Sequence, residues 1–308
     1  MFKEGIPILT KDRYWGKNTA EELEKALRII DKQGWDEFYS QYKNKFDFTF
    51  EENRADWRFN IPIDKNSVIL DTGAGMGRST IPLARVAKKV VAFDTSFLRM
   101  KFLKKRAKKE GLDNIDVYVA DLFDLPFKKA SFDLIVMNGV LEWVGKTNLF
   151  KNPREAQIQS LKICKNLLKE GGYLYIGIEN RFASAYLRGV DHGGLRYTNY
   201  MPRWMANIYT KIRMGERYTT YTYSKIGYRK LLEESGFKNS DFYLVYPGYN
   251  RPRTVLPYDD LNILEYTIKN LTSAVNWKKK VAKRIAGIRF LLWFYRSVFF
   301  SFNIITKK

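Results

Sequence analysis

The chain has 308 residues, 45% of them hydrophobic, a single cysteine, and a net charge of +21 from 54 Lys and Arg against 33 Asp and Glu. One cysteine excludes an internal disulfide and a zinc site, and this length supports one large core with appendages, in one or two domains. The positive charge invites a polyanion: nucleic acid, an anionic membrane surface, or a phosphorylated or nucleotide-linked substrate.

A blander account of that charge is lysine spread over solvated faces, as Lys101, Lys104, Lys105, Lys108 and Lys109 along one helix suggest. The opening Met-Phe-Lys-Glu-Gly lacks the apolar run of a secretory signal, so a cytoplasmic address is expected. Thr19-Ala-Glu-Glu22 is a capping-box signature. Leu23, Ala26, Leu27 and Ile30 follow at helical spacing, and Gly34 stops the helix. Residues 35–59 carry nine aromatics, from Trp35 to Phe59, which form either a lid or a seal on the edge of a sheet. Residues 1–60 are therefore expected to be an N-terminal helical and aromatic cap.

A core over 61–246 follows. Residues 68–72 are an apolar run of the kind buried on both faces, leading into Gly73, Gly75 and Gly77 and then a helix that carries Pro82 in its first turn. Glycines let the backbone turn sharply and approach a ligand. The dinucleotide fingerprint Gly-x-Gly-x-x-Gly is not met, because Arg78 stands where its third glycine belongs, which argues against NAD. Residues 90–94 form a second strand ending in Asp94, 115–121 a third ending in Asp121, and 132–137 a fourth followed by Asn138-Gly139. In an open parallel sheet ligands bind beyond the carboxyl ends of the strands, so these endings converge on one crevice. A helix over 153–168 begins at Pro153. Residues 173–178 read as a fifth strand, 224–235 as a helix stopped by Gly236, and 241–246 as a sixth strand. The seventh is expected within 301–308, which makes 247–300 a basic and aromatic helical insert.

The run Asp71-x-Gly73-x-Gly75-x-Gly77 with the acid-terminated strands after it resembles class I S-adenosylmethionine-dependent methyltransferases over about residues 66–236. That resemblance implies an α/β, doubly wound, mostly parallel seven-stranded sheet of Rossmann-like kind, with S-adenosylmethionine as cofactor. It further implies that the Gly73–Gly77 loop wraps the aminoacyl and ribose part, that Asp94 holds the ribose, and that Asp121 and Leu122 meet the adenine. Asp71 and Asn138 complete the expected cofactor set. Asn138-Gly-Val-Leu141 departs from the Asn-Pro-Pro-Tyr type of motif after strand four, which weakens an amino-group nucleic-acid reading. With no cysteine pair, covalent carbon-5 pyrimidine chemistry is disfavoured as well. The strings Gly-Ile-Glu-Asn-Arg181, His192-Gly-Gly-Leu-Arg-Tyr197 and Tyr221-Thr-Tyr-Ser-x-x-Gly-Tyr228 resemble a subgroup associated with surface-polysaccharide synthesis.

Methyl transfer requires alignment of acceptor, methyl and sulfur, exclusion of water, and a base if the acceptor is a hydroxyl. His192, the chain's one histidine, and Glu142 are the competing candidates for that base. The insert 179–223 follows strand five and should hold the acceptor, with Glu179, Arg181, Arg196 and Tyr197 as candidate contacts and arginine as the anion clamp. No metal is expected. Within residues 277–300 Arg289 and Arg296 interrupt the apolar run, leaving it shorter than the about 20 residues needed to span a bilayer. The segment reads either as a helix lying in an anionic membrane interface or as one packed on the core. The expected function is O-methylation of a sugar, glycan or sugar-nucleotide precursor. The alternatives are an RNA methyltransferase that uses the basic surface, or a cofactor-binding protein without transfer activity.

Overall fold

A computed structural model describes residues 1–14, 19–147, 149–187, 189, 191, 194–270, 284 and 287–308. Among these, the main sheet has eight strands in the order β5-β4-β3-β6-β7-β10-β8-β9. They are β3 (Val68–Thr72), β4 (Lys89–Asp94), β5 (Ile115–Val119), β6 (Phe132–Asn138), β7 (Leu168–Glu179), β8 (Ser240–Tyr246), β9 (Thr254–Pro257) and β10 (Ser301–Lys307). The expected count was seven. The extra strand, β9, pairs antiparallel outside β8 and comes from the stretch read as wholly helical. The chain divides into two compact units, residues 1–137 with 166–174 and 308, and residues 138–165 with 175–307.

The first unit holds the parallel strands. β3 pairs with β4 and β6, and β4 with β5, in a register that places Asp71 opposite Ala92 and Val136, and Asp94 opposite Val119. Two aspartates thus stand at the carboxyl ends of adjacent strands. Beneath them α2 (Thr80–Ala84) and α3 (Phe97–Lys109) cover the sheet with Ile81, Met100 and Leu103. The short strands β1 (Phe2–Lys3) and β2 (Ile6–Pro7) bring Ile6 into the same cluster.

Helix α1 (Ala20–Phe50) begins at the expected capping box, with Thr19 and Glu22 bonded reciprocally. It is broken by Gly34, whose φ of 89° is outside the helical region. Beyond the break Phe38 and Phe46 are buried and meet Phe102 of α3, with Trp35 edge-on to that ring. These rings pack on the unit's own helix α3. The lysines of α3 are also more engaged than a solvated face would be. Lys101 pairs with Glu4 and Asp31, Lys105 with Asp31, Lys104 donates to the Glu4 and Gly5 carbonyls, and Lys109 lies over Tyr39.

The second unit contains α4 (Pro153–Leu167) except its last two residues, the latter part of β7, and β8, β9 and β10. It also contains α5 (Arg203–Met214), α6 (Lys225–Glu234), α7 (Leu261–Asn270) and α8 (Arg289–Ser297). β10 runs antiparallel to β8, from Ser301 opposite Val245 to Thr306 opposite Ser240. Tyr228 and Phe242 meet Phe302 edge-on, and the Asn180 amide donates to the Ser297 and Phe299 carbonyls at 2.8 Å each. Cys164 is buried, and that burial pushes its thiol up to about 12, consistent with core filling.

Candidate active site

At the carboxyl end of β3 the chain turns through Gly73, Gly75 and Gly77, all at positive φ (61°, 56° and 87°). At Gly77 a side chain is excluded twice, by that φ and because a Cβ would stand 2.4 Å from Leu103 Cδ1. At Gly75 a Cβ would meet nothing within 4 Å, so the backbone there faces open space. The loop is held from beneath. Ala74 N donates to the Phe93 carbonyl at 2.9 Å, and Gly75 N to Asp94 Oδ2 at 3.1 Å.

Asp94 also accepts from Ser96 N at 3.0 Å and lies 3.5 Å from the Arg99 guanidinium. A carboxylate offers about four lone-pair sites, so Asp94 keeps acceptor capacity for a vicinal diol such as a ribose. Asp71 has a different setting. It is buried, accepts from Thr80 Oγ1 at 2.6 Å, and burial pushes its carboxyl up to about 6, with Thr80 and Arg54 opposing that rise. Asp121 accepts from Phe123 N at 3.0 Å beside the buried Leu122. Open backbone at Gly75, a diol acceptor at Asp94 and an apolar neighbour after Asp121 fit an adenosyl ligand. Arg78, at the place of a dinucleotide motif's third glycine, is tied to Glu51 at 3.3 Å. The Thr80 hydroxyl on Asp71 was missed in the sequence, where nothing beyond nearness marks it.

In the second unit Asn138 is buried at the end of β6, and a Cβ on Gly177 would stand 2.4 Å from its Oδ1, so only glycine fits beneath it. Glu142 is fully buried, and the Tyr249 hydroxyl donates to its Oε1 at 3.5 Å. Glu179 is buried too, and its carbonyl accepts from the Tyr228 hydroxyl at 3.0 Å. The Tyr186 hydroxyl, buried without a hydrogen-bond partner among the described residues, is raised first by burial and then by the charges of Glu179, Glu142 and Asp191. The unit therefore gathers three acids around one phenol. Tyr186 and Tyr249 were not singled out in the sequence, because each is one tyrosine among twenty.

The remaining candidate contacts separate. Arg181 is half-buried and donates to the Asn199 and Met201 carbonyls at 2.6 and 2.7 Å, so its guanidinium ties the 199–201 loop. Arg196 and Tyr197 are exposed, Tyr197 at a φ of 66°. Asp191 accepts from the Thr198 hydroxyl and from Leu195 N. His192 lies outside the described residues, as do 277–283 and 285–286 of the basic segment. Among the described residues no helix is long and apolar enough to cross a membrane, and no group of three or more His, Cys, Asp or Glu is placed to hold a metal.

A glycine turn between two acid-terminated parallel strands, in this sheet order, defines a class I methyltransferase fold. Residues 70–176 match the family model described as a methyltransferase domain, so the chain carries a class I methyltransferase domain whose cofactor is S-adenosylmethionine. Two curated relatives are similar to it over that kind of span. One, from Methanosphaera stadtmanae, is named "Probable ribosomal RNA small subunit methyltransferase A"; it is 35% identical over 39% of this chain and 41% of its own. The other is a ubiquinone biosynthesis O-methyltransferase of Pelagibacter ubique, 32% identical over 40% of this chain and 46% of its own. The chain thus spans about half the length of these relatives. In fold it is similar to phosphoethanolamine N-methyltransferase 2 of Haemonchus contortus, solved with phosphomonomethylethanolamine and S-adenosylhomocysteine. The TM-score is 0.50 at 16% identity, covering 91% of this chain and 58% of that one.

Proposed function

We propose that this chain is an O-methyltransferase acting on a hydroxyl of a sugar, glycan or sugar-nucleotide precursor, in a subgroup serving surface-polysaccharide synthesis. The observation that carries the oxygen acceptor is Glu142, a fully buried carboxylate just past β6 with the Tyr249 hydroxyl on its Oε1. An amine acceptor needs only its free lone pair, whereas a hydroxyl must lose its proton as the new bond forms. When bound, the cofactor supplies a methyl group already activated on a sulfonium. On the first unit Asp94 and the Gly73–Gly77 loop hold it; on the second, Glu142 takes the acceptor proton and Tyr249 orients that carboxylate. Glu179 bonds acceptor hydroxyls, and Arg196, exposed and without an ion-pair partner among the described residues, clamps a phosphate or carboxylate with Tyr197 beside it. Arg181 shapes the 199–201 loop that presents them.

RNA methylation is the second reading, favoured by the net charge of +21 and by the name of the Methanosphaera relative. Single-turnover transfer to a panel of sugar nucleotides, glycans and RNA separates the two. Methylation is expected in the sugar arm. Exclusive methylation of RNA overturns the proposal, and cofactor binding with no transfer to any acceptor leaves a binding protein.

A further inference from the structure

Helices on the surface of a soluble protein turn an apolar stripe inward and a polar face outward. Two helices of the second unit reverse this. On α5 the inward residues are Ala206 and Thr210, while Trp204, Met205, Ile208 and Ile212 stand outward, Trp204 at 66% and Ile212 at 76% exposure. On α8 Leu292 points inward, and Phe290, Trp293 and Phe294, at the spacing of one helix face, are exposed, Phe290 at 71%. The Phe290 and Trp293 rings stack on each other. Isolated exposed apolar residues are ordinary, but contiguous outward faces of this kind mark contact sites.

Charge selects the occupant. Neither helix contains an acid. α5 carries Lys211 and Arg213, both exposed and without an ion-pair partner among the described residues, and α8 begins at the exposed Arg289. Large amphipathic rings and isoleucines inside a basic, acid-free frame match the boundary between headgroups and acyl chains of an anionic bilayer. A second copy of the same +21 chain would bring like charge against like charge. At 12 and 9 residues, neither helix reaches the about 20 residues that crossing requires, so the contact lies in the plane of the interface.

We propose that α5 and α8 dock this protein on an anionic lipid surface, with the apolar outer faces inserted and Lys211, Arg213 and Arg289 on the headgroups. The assignment does not depend on the acceptor. Co-sedimentation of the full chain is measured with vesicles of phosphatidylglycerol in phosphatidylcholine and with phosphatidylcholine alone, at low and high salt. Two double variants are compared, Ile208→Glu with Ile212→Glu on α5, and Phe290→Glu with Trp293→Glu on α8. Their fold is checked by thermal unfolding, and S-adenosylmethionine affinity serves as a separate readout of the methyltransferase site. Wild-type protein is expected to pellet with the anionic vesicles, to be released by salt, and to ignore the neutral ones. Each folded double variant should lose at least about fivefold in bound fraction, the scale of removing two inserted side chains from a weak interfacial anchor. Wild-type binding by either folded variant overturns the two-helix surface. So does a wild type that stays in the supernatant with anionic vesicles, including one that instead forms a dimer which the variants dissociate.

Discussion

Asp71 and Asp94 stand at the ends of neighbouring strands and are stabilised differently. Asp94 receives two backbone N–H groups and faces Arg99, whereas buried Asp71 has the Thr80 hydroxyl and a carboxyl pushed up to about 6. With the folded value above the unfolded one, the folded chain binds this proton more tightly. The stability it contributes is whole below about pH 4 and is lost as pH rises through about 6, by about 3 kcal/mol for a shift of about two units. Asp71→Asn should therefore flatten the fall between pH 4 and 6.5, read as the difference between variant and wild-type urea midpoints; parallel curves would contradict the buried, protonated carboxyl. Asp94→Ala should weaken S-adenosylmethionine by about 1.5–3 kcal/mol, the worth of bonds to a charged group, in calorimetry. Unchanged affinity, or a wild type that prefers NAD, would remove Asp94 from the cofactor site. Glu142→Gln should slow single-turnover transfer by about 10²–10⁴ with cofactor affinity nearly intact. If that variant is unimpaired and His192→Ala shows the loss instead, the base is His192.

At the scale of elements, helix α1 depends on its first turn and on Gly34. Thr19→Ala removes half of the reciprocal cap and should cost about 1 kcal/mol, seen as a lower Tm with the cofactor site unaffected. That cap was legible in the sequence because a capping box is local, four residues that bond among themselves. The strands β3, β4 and β6 were legible for a similar reason, since a strand buried on both faces is a bare apolar run that stands out from its neighbours. β9 was not: it has four residues, ends in proline, and exists only because β8 offers an edge. In α5 Trp204, Met205, Ile208 and Ile212 keep helical spacing, but a periodic pattern does not say which way its apolar face points, so the outward face was not legible. In the candidate site the glycine turn and its acids were readable as a motif. The Tyr249 hydroxyl on Glu142 joins residues 107 apart, and the Arg181 guanidinium is spent on carbonyls 18 and 20 residues away, pairings that no local pattern encodes.

For the whole molecule the governing quantity is the excess of 54 cations over 33 anions. Some of the cations are locally balanced, by exposed pairs such as Lys45–Glu22 at 3.1 Å and Arg154–Glu234 at 2.7 Å, which leave the excess itself unchanged. Exposed pairs of this kind contribute about 0–1 kcal/mol each, and salt weakens them. The uncompensated charge acts in the opposite sense, since crowding like charges into a compact state raises its free energy and salt relieves that cost. The two effects compete, and their balance is measurable. With the excess spread over the whole chain and the pairs at the low end of the scale, relief of repulsion should win. Tm should then rise by several degrees as sodium chloride increases from about 0.01 to 0.3 M, a range over which the screening length falls from about 30 Å to below 8 Å. Chloride is the appropriate salt, because sulfate strengthens apolar burial by exclusion from the surface and would raise Tm whatever the charge does. A Tm that falls with sodium chloride would mean that the ion pairs around Asp31, Glu52 and Glu110 on the first unit outweigh the repulsion. The excess lysine would then be part of the fold's own stability rather than a surface held ready for a polyanion.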